Sequence, residues 1–120
     1  MPEPTPELTT EDRKLLTLAR ATRARTGAPE GAAVRDENGR TYAAATVDLP
    51  SLQVSALGVC VAMAVASGSR GLEAAVVLTG LDHPEGLDAV RDLGGDGVVL
   101  HVADATGREV RSGTAAAPPA

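Results

Sequence analysis

Residues 10–26, TEDRKLLTLARATRART, place Leu15, Leu18, Ala19 and Thr22 three and four positions apart, with Leu16 alongside. That spacing is an apolar stripe on a helix, and the residues between are polar. Acids lead the segment, arginines trail it and Gly27 follows, as the helix dipole and C-terminal glycine rules require. The next stretch, GAAVRDENGRTYAAATVDL, predicts two strands, 32–35 and 40–47, around a turn at DENG, where Asn38-Gly39 is a strong hairpin signal. Beyond Pro50 the charges disappear. From Val54 to Val65 the only polar side chain is the hydroxyl of Ser55. This predicts a second helix ending at SGSRG. It is apolar nearly all round: Val54, Leu57, Val61 and Val65 lie on one side, and Val59, Ala62, Met63 and Ala66 on another. A bilayer span needs about 20 apolar residues. This run is shorter and contains Gly58, so a buried helix is expected rather than a membrane segment.

EAAVVLTG is a continuous apolar run, the pattern of a parallel strand buried on both faces. LDHPEGLDAVRDLG predicts a short helix, with Asp82 as cap, Pro84 in the first turn and Glu85 completing a capping box. GVVLHVAD reads as a fourth strand, and ATGREVR turns into a short last one. The order α-β-β-α-β-α-β-β predicts an α/β domain: a mixed five-stranded sheet, a hairpin plus β-α-β-α-β-β, with helices on both faces. Residues 1–8, rich in Pro, Glu and Thr, are expected to be a disordered N-terminal tail. The domain is expected over 9–111, and 112–120, SGTAAAPPA, as a disordered C-terminal tail. One sheet covers one side of the second helix. Its other side calls for a further helix or another subunit, so a homo-oligomer is expected.

A chain of 120 residues is one domain by length. It has no Phe or Trp and a single tyrosine, Tyr42, so its core must be built from Ala, Val and Leu. The formal net charge of −5 and the near-absence of aromatic platforms argue against nucleic-acid binding. Arg13, Lys14, Arg20, Arg23 and Arg25 read as the solvated face of the first helix. Cys60 is the one cysteine, which excludes an intramolecular disulfide, and amid Val and Ala it reads as a small buried apolar residue. The N-terminal residues lack the basic and apolar regions of a signal peptide, and a cytoplasmic location is expected. His83, His101 and Cys60 form no metal-ligand spacing, and each histidine is expected to be structural. Gly94, Gly95 and Gly97 precede a strand, the wrong context for a phosphate cradle.

GAAVRDENGRTY at 31–42, with the element order across roughly 10–111, resembles the homotetrameric cytidine deaminases. The resemblance implies their three-layer α/β/α fold. After the hairpin the family carries Asn-Val-Glu, whose polar side chains hold the ribose; this falls on Thr46-Val47-Asp48. Cys-Ala-Glu, which opens the family's second helix, falls on Ser55-Ala56-Leu57. Pro-Cys-Gly-x-Cys, which opens its third, falls on Pro84-Glu85-Gly86-Leu87-Asp88. In the family the three cysteines hold zinc and the helix-2 glutamate moves protons. Zinc deamination needs three protein ligands and an open position where water becomes hydroxide. Here the ligand positions hold Ser55, Glu85 and Asp88, and Leu57 cannot carry a proton.

The expectation is therefore a catalytically inactive cytidine deaminase-like protein without a zinc cofactor, acting as an oligomeric interaction or scaffold protein. A tetramer is the first choice and a dimer the second; any protein partner is left unnamed. One alternative is a nucleoside or nucleotide binding module with a residual pocket at Thr46, Asp48 and Ser55. Another is a zinc-dependent cytidine deaminase with unfamiliar ligands. Glu85 and Asp88 with a hydroxyl would suit a hard cation, but a capping Glu85 and a solvated Asp88 are the preferred reading.

Overall fold

The computed structural model describes residues 7–119. Helix α1 (Thr10–Thr26) begins at Thr9, whose hydroxyl accepts the backbone N–H of Asp12, and stops at Gly27. Strands β1 (Gly31–Asp36) and β2 (Thr41–Ala45) form the expected antiparallel hairpin. Its turn is held by Asp36, whose Oδ1 accepts the backbone N–H groups of Asn38 and Arg40 and whose Oδ2 accepts the Ser69 hydroxyl at 2.5 Å. Burial works to raise the Asp36 carboxyl, but these hydrogen bonds and the nearby Arg40 charge outweigh it and hold the group below the usual aspartate range.

A second, smaller hairpin follows, β3 (Val47–Leu49) and β4 (Leu52–Val54), then α2 (Ala56–Ala66). Strand β5 (Leu72–Leu78), α3 (Leu87–Gly94), β6 (Val99–Ala103) and β7 (Val110–Thr114) complete the chain. The main sheet has the order β2-β1-β5-β6-β7, with β5 and β6 parallel and the other neighbours antiparallel.

The sheet lies between two helical layers, and the alternation along its strands explains both cores. On β5, Ala74, Val76 and Leu78 face α1, where they meet Leu15, Leu16, Ala19 and Ala33. Ala75 and Val77 face the opposite way and join Leu57, Cys60, Val61, Val90 and Leu100 beneath α2 and α3. A central strand sandwiched in this way has no polar face, which is why its sequence is continuously apolar. Gly31 lets α1 lie close: a Cβ there would sit 2.4 Å from the Ala19 carbonyl oxygen and 2.7 Å from Arg23 Cβ.

Four expectations need correction. The segment 47–54 is a hairpin, so α2 begins at Ala56 rather than soon after Pro50, and two short strands join the expected order. The inner side of α1 is Asp12, Leu15, Leu16, Ala19 and Thr22, while Leu18 is 38% exposed. Helix α3 starts at Leu87, after Gly86, without a side-chain cap, so neither Asp82 nor Glu85 caps it. Residues 112–117, expected to form a loose tail, are packed instead. β7 runs to Thr114, Ala115 is fully buried, and the backbone N–H groups of Ala115 and Ala116 donate to the carbonyls of Val98 and Asp96. A run of Ala and Gly shows no periodicity, but its backbone still pairs. Residues 1–6 of the expected N-terminal tail lie outside the described residues.

Candidate functional site

Ser55 is the N-cap of α2. Its hydroxyl accepts the Gly58 backbone N–H at 3.1 Å, which satisfies one of the orphan donors of the first turn. Leu57, two residues on, is fully buried and belongs to the core under α2. The start of α3 rests directly on this turn. Gly86 has φ 94°, and a Cβ on it would sit 2.6 Å from Ser55 Oγ, 3.0 Å from Leu57 Cβ and 3.1 Å from the Gly58 nitrogen. Only glycine suits this position, on both conformational and steric grounds.

The six positions singled out in the sequence separate into three groups. Ser55 and Leu57 sit at the α2–α3 junction. Thr46, Asp48, Ser55 and Glu85 line one open cleft of about 720 Å³, with Gln53 and Val54 of the small hairpin on the same wall. Asp88 stands apart: its side chain is 92% exposed and paired with Arg91, which also donates to the Ala115 carbonyl. Thr46 is partly engaged, since its hydroxyl accepts the Glu30 backbone N–H at 3.1 Å. Asp48 is exposed on β3, opposite Gln53.

The zinc that the resemblance implies does not fit these residues. The Ser55 hydroxyl is committed as a cap, Leu57 has no donor, and Asp88 is taken up by an arginine. Among the described residues no three of His, Cys, Asp and Glu are grouped to hold a metal ion. Cys60 is buried, and burial pushes its thiol up to about 12, so it stays protonated at neutral pH. His83 is exposed before α3.

His101 is a buried structural residue of another kind. Its Nε2 lies 2.7 Å from Asp12 Oδ2, and its Nδ1 lies 2.6 Å from Ser112 Oγ. Arg35 donates to Asp12 Oδ1 at 2.9 Å and also lies 3.6 Å from Glu73 Oε1. Serine, histidine and aspartate in a row have the composition of a hydrolytic triad. With no exposed surface on His101, however, no substrate reaches the ring, and the group acts as a clamp across α1, β1, β6 and β7. Asp12 was not legible in advance: an acid in the first turn of a helix is explained by the dipole alone.

Glu30 was also missed. It is 6% exposed at the entrance to β1, and no donor among the described residues reaches its Oε2. It lines a second cleft of about 430 Å³ that shares Pro29, Thr46 and Glu85 with the first. The available signal was a carboxylate placed immediately before an apolar strand.

These layers and this strand order define a cytidine deaminase-type α/β/α sandwich, and solved structures with that fold are similar throughout. The cytidine deaminase from Burkholderia pseudomallei matches with a TM-score of 0.73 at 21% identity, over 86% of this chain and 91% of that one. The cytidine deaminase from Mycobacterium leprae gives 0.65 at 21% identity, over 87% and 92%. The one from Bacillus anthracis gives 0.64 at 14%, over 89% and 84%. No curated protein sequence matches the chain. The family described as Cytidine deaminase-like matches residues 8–107, and the chain belongs to it. No helix among the described residues is long and apolar enough to cross a membrane.

Proposed function

We propose that this chain is a cytidine deaminase-like protein that does not deaminate and that acts through association, as an oligomeric interaction or scaffold protein. One observation carries the reading: Leu57, at the position of the family's proton-transferring glutamate, is fully buried against the base of α3. A leucine there neither binds a metal-activated water nor moves a proton. Ser55, Glu85 and Asp88 supply no soft or imidazole ligand to hold zinc. The purified protein is expected to be metal-free and to leave cytidine and deoxycytidine unchanged. Elemental analysis combined with a turnover assay tests this. Near-stoichiometric zinc that copurifies and supports turnover would establish instead a deaminase with unfamiliar ligands.

Association is supported by the outer side of α2. Ala62, Val65 and Ala66 are exposed, Val65 by 54%, with Met63 half-buried beside them. A groove of about 300 Å³ between α2 and α3 continues this apolar surface along Val61, Ala89 and Leu93. Small residues on a helix let a second backbone come close. A homo-tetramer is expected first, as the family resemblance implies, and a dimer second. Ala62 is on the surface, so Ala62→Arg is expected to dissociate the oligomer into a folded monomer rather than to unfold it. Sedimentation velocity on both proteins is the measurement. A wild-type monomer of 12.1 kDa that persists at tens of micromolar defeats the proposal.

A second reading rests on the 720 Å³ cleft, a residual nucleoside pocket in which Thr46, Asp48 and Ser55 supply the polar contacts. Asp48 and Glu85 disfavour phosphate there, so a nucleoside fits better than a nucleotide. A thermal-shift screen of nucleosides against nucleotides distinguishes this reading from pure scaffolding.

A further inference from the structure

Glu30 stands where a carboxylate is hard to account for structurally. It lies at the end of the sheet where β5 and β6 finish, since Gly31 pairs with Leu78 and the Thr79 N–H donates to the Ala103 carbonyl. Both of its backbone groups are used: its N–H donates to Thr46 Oγ1, and its carbonyl accepts the Thr46 N–H at 3.2 Å. The side chain is nine-tenths buried, and Oε2 has no hydrogen-bond partner among the described residues. Buried carboxylates are ordinarily paired, because a charge taken out of water without a partner is destabilising. Arg23 is close by, its Nε donating to the Pro29 carbonyl, but no hydrogen bond from it reaches Oε2. The nearby hydroxyl of Thr79 accepts the Leu81 N–H.

The carboxylate borders the 430 Å³ cleft, where Pro29, Leu81 and Ala105 form an apolar wall beside Thr46, Thr79 and Gly80, with Glu85 at its shared side. We propose that this cleft is a binding site for a small organic cation, an ammonium or amidinium head with a short aliphatic body. The cationic head pairs with Glu30, Glu85 adds a second negative charge, and the aliphatic body lies on Pro29, Leu81 and Ala105. The lining selects this class. Two carboxylates repel anions. A hard metal ion takes six to eight oxygen ligands, which apolar walls do not provide. A charge-assisted N–H to carboxylate pair in a partly desolvated cleft satisfies both the burial and the missing donor. Glu30 lies outside the α2–α3 junction, but the cleft shares Pro29, Thr46 and Glu85 with the larger one, so the inference rests on the reading that Glu85 holds no metal, which elemental analysis tests separately.

The test is calorimetric titration of the full chain at low ionic strength with agmatine and n-butylamine, with 1-butanol as the uncharged control. Saturable binding of at least one amine and none of 1-butanol is expected. Glu30→Gln, which keeps the shape and removes the charge, is expected to weaken amine binding about tenfold or more. Glu30→Leu is expected to abolish binding and to raise the melting temperature of the ligand-free chain, because it removes a buried carboxylate without a partner. A group kept for binding at the expense of the fold behaves in that way; a structural one does not. The proposal is overturned if neither amine binds, or if Glu30→Gln binds as tightly as wild type. A lower melting temperature for Glu30→Leu overturns it as well. So does a Glu30-dependent titration with Mn²⁺ that no amine competes away.

Discussion

Leu57→Glu is expected to destabilise the fold by about 3–5 kcal/mol, the range for an uncompensated buried charge. Leu57 is fully buried, its Cβ is within reach of Gly86, and its neighbours in the core under α2 are apolar. Ser55 Oγ, which faces the same Gly86, already accepts the Gly58 N–H. A carboxylate placed there has neither a cation nor water to meet. The free energy of unfolding in urea measures the loss. Added zinc is expected to restore none of it, because Ser55 and Asp88 do not complete a ligand set. A variant with the wild-type midpoint would mean instead that the junction is open and wet, which would also reopen the question of catalysis.

Asp12→Ala is expected to cost about 3 kcal/mol or more. Asp12 is 3% exposed and accepts from both Arg35 and His101, so its removal leaves the fully buried His101 ring without this acceptor and the half-buried Arg35 with Glu73 alone. The loss depends on pH in a defined direction. Burial works to raise the Asp12 carboxyl, but hydrogen bonds from His101 and Arg35, and their charges when present, win and hold it below its ordinary 3.8. A depressed carboxylate stabilises the fold at pH values above its unfolded pKa. That contribution fades as pH falls through the lower folded value. The gap between wild type and Asp12→Ala is therefore expected to be full near neutrality and to narrow below about pH 3.8. Urea midpoints at a series of pH values would show it; a gap that stays constant into the acid range would remove the ionised carboxylate from the account.

Elements whose pattern reflects burial on a known face were legible in the sequence. α1 appeared at its observed bounds because its leading acids, trailing arginines and Gly27 mark its ends, although Leu18 of the expected stripe is exposed, and β5 appeared because a strand covered on both sides has no polar alternation. The β3–β4 hairpin was not legible: three residues per strand do not establish a period, and Pro50-Ser51 reads equally well as the approach to a helix. Of the candidate site, the positions Thr46, Asp48, Ser55, Leu57, Glu85 and Asp88 came from resemblance. The structure brings Thr46, Asp48, Ser55 and Glu85 to one cleft and leaves Asp88 outside it. Glu30 and Asp12 escaped because what distinguishes them is tertiary. Neither burial nor the identity of a partner many residues away is written in local spacing.

The Asp12–His101–Ser112 clamp also orders events during synthesis. Asp12 leaves the ribosome well before its hydrogen-bond partner His101, 89 residues further along, and Arg20 of the same helix donates to the Gly107 carbonyl, 87 residues on. β5 likewise waits for β6 and β7 on its far side. Until those last strands emerge, α1 has a buried carboxylate without its imidazole, and the sheet has an open edge at its centre. Long-range closure of this kind slows folding. The nascent domain is thus kept waiting from α1 to β7, with the apolar faces of α2 and β5 the surfaces a chaperone would meet.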